Sequence, residues 1–118
     1  MLTIYAIPNC NTVKKARQWL DAKGIEYIFH DYKKKGISEE IIAQWMDQLP
    51  WQDLINKAGT TWKRLSDEEK TEVLGPQQAT SLMIAKTSVI KRPLIQDEEG
   101  KIVALGFSEE NYQRIFDR

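Results

Sequence analysis

The first thirty or so residues constrain the fold more than any other stretch. Leu2-Thr3-Ile4-Tyr5-Ala6-Ile7 is rich in β-branched and aromatic residues and reads as a buried strand. Pro8-Asn9 breaks it. Val13, Ala16, Arg17 and Leu20 then recur at helical spacing until Gly24 supplies a stop. Residues 25–32 read as a second strand. Strand, helix and strand over about thirty residues make a βαβ unit, whose crossover is right-handed and whose two strands are parallel.

Cys10, the only cysteine, falls between the end of that strand and the start of that helix. The first N–H groups of a helix lack internal partners, and their aligned dipoles favour negative charge nearby. A thiolate is such a charge. A lone cytosolic cysteine is most often a small buried hydrophobe, but the strand-to-helix junction turns the reading towards a reactive thiol. A free thiol has a pKa of about 8.5, and one pH unit corresponds to about 1.4 kcal/mol. A helix terminus supplies about 0.3–1 kcal/mol and seldom more than ~2. Strong activation therefore needs a second positive group.

Along the rest of the chain, Lys33-Lys34-Lys35-Gly36 reads first as a solvated basic connecting loop, with an acidic partner as the alternative. Ser38 is placed to cap a helix with the apolar stripe Ile41, Ile42, Trp45 and Leu49. Residues 51–57 predict a short helix, which Gly59-Thr60-Thr61 interrupts, and Trp62 is expected to anchor that loop into the core. Ser66 followed three residues later by Glu69 is a capping box. Leu82, Met83 and Ala85 extend the helical pattern to about Thr87. Two apolar runs, residues 89–96 and 101–106, flank an acidic glycine-containing turn and predict a hairpin. Pro93 cannot donate to a sheet ladder and belongs at the start of its strand. Ser108 caps a last helix with Tyr112, Ile115 and Phe116 on one face. His30, the only histidine, reads as a polar residue at a strand end.

The chain has 118 residues, enough for one domain that buries a core without metal or disulfide. Seventeen basic and seventeen acidic residues cancel, so no net field draws it to nucleic acid or an anionic membrane. With one cysteine no intramolecular disulfide can form, and one Cys with one His cannot close a structural zinc site. No leader or bilayer-length apolar run is visible, so a cytoplasmic location, without nucleic acid or membrane as partner, and a monomer are expected.

A βαβ unit, a helical block and a ββα unit, with a cysteine at the first helix and a proline opening the third strand, predict an α/β chain of thioredoxin-like fold. Pro8-Asn9-Cys10-Asn11-Thr12-Val13-Lys14-Lys15-Ala16, Gly59-Thr60-Thr61-Trp62-Lys63-Arg64-Leu65, Ile90-Lys91-Arg92-Pro93-Leu94-Ile95 and Leu105-Gly106-Phe107-Ser108 occur in that order. Together they resemble the arsenate reductase (ArsC)/Spx family, and most closely its YffB-like branch of thiol reductases. The resemblance covers essentially the whole chain. It implies a single domain, residues 1–118, with a four-stranded mixed sheet and a helical insertion at residues 36–88. It also implies that Cys10 is the nucleophile and that Arg92 is the second positive charge. Pro93, expected cis and opposite the cysteine, would present the backbone of residue 92 to a peptide-like substrate. Asn11, Thr12, Lys14 and Arg64 join them as candidate substrate contacts, with Lys15 beside Lys14 able to attract a carboxylate.

Departures from the family set the expected chemistry. Arsenate reductases hold a tetrahedral oxyanion with three arginines, whereas here Asn56 and Gly106 align where two of them stand. A charge-assisted hydrogen bond is roughly twice as strong as a neutral one, so arsenate is not expected as the main substrate. Spx-type regulators switch through a Cys-x-x-Cys disulfide and bind RNA polymerase; Val13 occupies the second cysteine position here. What remains is a monothiol reductase. It is expected to need no bound cofactor, to act on an oxidised thiol, and to be resolved by an external thiol, with glutathione as the expected co-substrate. The alternatives are a Spx-like regulatory binding protein contacting the transcription machinery, and an arsenate reductase.

Overall fold

Strand β1 (Leu2–Ala6) lies inside a four-stranded mixed sheet of order β2-β1-β3-β4. The computed structural model describes residues 1–116 of the chain. On one side β1 pairs in parallel with β2 (Tyr27–Asp31), Leu2 opposite Tyr27 and Ala6 opposite Asp31. On the other it pairs antiparallel with β3 (Leu94–Gln96), which in turn pairs antiparallel with β4 (Ile102–Leu105). The helix between the parallel strands is α1 (Asn11–Ala22), as the 3.6-residue spacing requires. Val13, Ala16 and Leu20 are its buried face, packed with Ile4, Ile95 and Tyr112 in one core. Gly24 ends α1 in the left-handed conformation (φ +69°). The Gly24 N–H donates to the Asp21 carbonyl (3.1 Å) and the Ile25 N–H to the Leu20 carbonyl (3.0 Å), the two bonds of a Schellman motif.

Two compact units make up the chain, one of residues Met1–Lys35 joined by the segment from Arg92 onward, the other Gly36–Lys91. The first carries the sheet. There β2 starts later and stops sooner than the sequence suggests, and the lysine run that reads as a loop is part of a helical turn, α2 (Tyr32–Lys35). Asp31 causes the change: its carboxylate accepts the N–H groups of Lys33 and Lys34 (3.1 and 3.2 Å), capping a turn that Gly36 ends at φ +74°. Tyr32 is thereby moved from the strand into the helix and is fully buried.

The second unit is helical, with α3 (Glu39–Met46), α4 (Trp51–Leu54), α5 (Thr60–Lys63), α6 (Asp67–Glu72) and α7 (Pro76–Ala85). Ser38 caps α3 through the Ile41 N–H, and Ser66 with Glu69 closes the expected capping box on α6. The helix foreseen over residues 51–57 ends early, because Ile55 turns extended and bridges Ile90 while the Asn56 N–H donates to the Val89 carbonyl (2.8 Å). Gly59-Thr60-Thr61 does not interrupt helical structure but opens α5. Val89 and Ile90 are likewise outside the hairpin. Thr87–Val89 is a 3₁₀ turn, and the strand begins only after Pro93, which has no N–H to offer the ladder.

The first unit closes with α8 (Glu109–Phe116). Ser108 caps it by accepting the Asn111 N–H, and the buried Tyr112 ring meets Trp19, Phe107 and Phe116 edge-on, with ring centres 4.8–5.7 Å apart. No helix among the described residues is long and apolar enough to cross a membrane.

Candidate active site

Cys10 is the N-cap of α1, in extended conformation (φ −146°, ψ 126°), and is partly exposed. Its carbonyl accepts the Lys14 N–H (2.9 Å), so the residue is tied into the first helical turn by its backbone while its side chain stays at the end of the helix. The sulfur closes no strict capping hydrogen bond. The Val13 and Thr12 N–H groups at the head of the helix nonetheless lower its pKa, as unpaired N–H dipoles favour an anion. Arg92 adds a side-chain hydrogen bond and a full positive charge.

Burial pushes the Cys10 thiol up, but the Val13 N–H, the Arg92 hydrogen bond and charge, and the Thr12 N–H outweigh it, so the thiol is held below its ordinary range. Both contributions weighed from sequence, the helix terminus and a second cation, act on the one sulfur.

Arg92 immediately precedes β3, and the Arg92–Pro93 peptide bond is cis. Pro93 is buried, and its carbonyl accepts the Gly106 N–H (2.9 Å). The guanidinium also donates to the hydroxyl oxygen of Tyr32. The sequence reading missed Tyr32, having assigned it to the end of a strand. The signal available was Asp31 ahead of the lysine run, a turn-forming residue where the helix starts.

The other candidates separate. Asn11 and Thr12 are exposed at the first positions of α1. Thr12 and Lys15 line an open groove of about 650 Å³ with Trp19, Phe107 and Ser108. Lys14 is exposed and is not among the groove residues, so Lys15 is the lysine better placed for a ligand there. A second concavity of about 360 Å³ is lined by Ile7, Pro8, Asn9, Asp31, Lys33 and Lys34. Arg64 belongs to the helical unit, where it is exposed and caps the C-terminus of α5. In the same unit Trp62 is half-buried, with the Lys57 ammonium 5.4 Å from its ring centre. His30 sits in β2 opposite Tyr5, their rings 4.9 Å apart.

The two positions aligned with arsenate reductase arginines are built into backbone structure. Asn56 accepts the Ala58 N–H on its side chain (3.2 Å) and the Gly59 N–H on its carbonyl (3.2 Å). Gly106 has φ +83°, and its carbonyl accepts the Tyr112 hydroxyl (2.9 Å). Among the described residues no three His, Cys, Asp or Glu side chains gather as a metal site would require.

The sheet order and the βαβ and ββα halves define a thioredoxin-like fold. Within that class the chain belongs to the ArsC family, which residues 5–115 match. It is similar to the solved YffB (PA3664) protein, at 37% identity over 98% of both chains with a TM-score of 0.87. It is also similar to an arsenate reductase (ArsC) related protein from Brucella melitensis, at 40% identity over 99% of this chain and 95% of that one with a TM-score of 0.77. The global transcriptional regulator Spx of Listeria innocua is 28% identical over 122 residues, all of this chain and 88% of Spx. The fold is thus that of arsenate reductase-like thiol reductases, in a family that also includes regulators.

Proposed function

We propose that the protein is a glutathione-dependent monothiol reductase. The observation that carries this reading is Cys10 at the N-cap of α1, with the Val13 and Thr12 N–H groups and the Arg92 guanidinium all lowering its pKa. The Cys10 thiolate attacks the glutathione sulfur of a glutathione mixed disulfide, forming a Cys10–glutathione S–S bond and expelling the substrate sulfur as its reduced thiolate. The only cysteine cannot be resolved from within the chain. A glutathione thiolate then attacks the Cys10 disulfide, takes over its partner sulfur as glutathione disulfide and regenerates the Cys10 thiolate. Two electrons pass from glutathione to substrate in each turnover. The groove lined by Thr12 and Lys15, close in sequence to Cys10, suits a peptide-like thiol with a carboxylate for the lysine. Pro93 and the backbone of residue 92 complete the peptide contact, with Asn11 at its edge.

Turnover of a glutathione mixed disulfide, with release of the substrate thiol, tests the reading. Native protein should turn over and Cys10→Ser should not; equal rates in the two would refute it. The similarity to Spx supports a second reading, a binding protein contacting the transcription machinery and modulated at Cys10. RNA polymerase binding that survives Cys10→Ser, with no reductase turnover, would favour it.

A further inference from the structure

Tyr32 is fully buried, and its hydroxyl oxygen accepts a hydrogen bond from the guanidinium that also bonds Cys10. A guanidinium is a flat fork of five donors, so a second acceptor beside the thiolate restricts how it can turn. The second acceptor matters by its charge. A carboxylate there would orient Arg92 equally well but would neutralise it, and the thiolate would lose its counterion.

Tyr32 avoids that cost. Burial pushes its hydroxyl well above the ordinary tyrosine range, Arg92 lowers it in part, and the Cys10 thiolate and Asp31 carboxylate each oppose ionisation further. It therefore stays neutral wherever Cys10 is a thiolate. The position follows from the local fold, since Asp31 caps the turn that turns Tyr32 inward.

We propose that Tyr32 is a positioning residue whose neutral hydroxyl holds the Arg92 guanidinium against Cys10 without spending its charge. This rests on the reading of Cys10 as the reactive thiol but requires no particular substrate. Tyr32→Phe keeps the ring and removes only the hydroxyl. The rate of Cys10 alkylation by iodoacetamide against pH, in native protein, Tyr32→Phe, Arg92→Ala and the double variant, is the test. The expected result is an upward move of the thiolate transition in Tyr32→Phe by about half a pH unit, read as about threefold slower alkylation at pH values below it. The move should be smaller than that of Arg92→Ala, and the double variant should match Arg92→Ala. An unchanged transition in Tyr32→Phe would overturn the proposal, as would an equal move with and without Arg92. Turnover of a glutathione mixed disulfide, measured separately, keeps the outcomes distinct: a transition that moves without turnover refutes the reductase reading and supports the positioning role.

Discussion

At the residue scale the decisive quantity is the protonation of one sulfur. The folded thiol of Cys10 is held below its unfolded value, so between the two values the unfolded chain binds more protons and stability rises with pH. That contribution is complete above the free-thiol value of about 8.5 and is lost as pH falls through the folded one. Urea titrations of native protein and Cys10→Ser should therefore diverge with rising pH and become parallel above the free-thiol range. A constant difference at every pH would show that the thiol is not perturbed. Cys10 was legible from sequence because a thiol at a helix start is a local signal, whereas Arg92 was legible only through the family resemblance. Tyr32 was not legible, since one side-chain cap at Asp31 decides whether residue 32 continues a strand or opens a helix.

At the scale of the element, glycines and caps set where the structural pieces stop. Gly106 lies at φ +83° just after β4, with both its N–H and its carbonyl engaged. Gly106→Ala should lower the urea midpoint by about 1–2 kcal/mol of stability, the cost of a side chain in the left-handed region. The same strain opposes an arginine at that position. On α6, Ser66→Ala should remove an N-cap at a cost of about 1 kcal/mol, seen as faster amide exchange at Glu69. Periodicity and caps made α1, α3, α6 and α8 readable, because each signal lies within a turn or two. The ends of β3 and α4 were not, because they depend on pairings between distant residues, Ile55 with Ile90 and the β3 register with β1.

For the whole molecule, the ArsC fold supplies the scaffold, and the resemblance sets Asn56 and Gly106 where arsenate reductases would carry arginines. Arsenate reduction with glutathione should be far slower than turnover of a glutathione mixed disulfide. Comparable rates would show that Arg92 and its neighbours suffice for a tetrahedral anion. The βαβ and ββα halves were readable as units because each is nearly contiguous, and the family motifs tied them together. Where Arg64 stands with respect to Cys10 could not be read, since about thirty residues of chain separate it from Arg92 and no local signal fixes that distance. The central claim is that the head of α1 and Arg92 together make Cys10 a thiolate. The most direct measurement is the alkylation rate of Cys10 against pH in native protein and Arg92→Ala, with one cysteine giving one signal. A transition well below that of a free thiol, moving upward in Arg92→Ala, is the predicted result; a transition at the free-thiol value in both proteins would contradict the account.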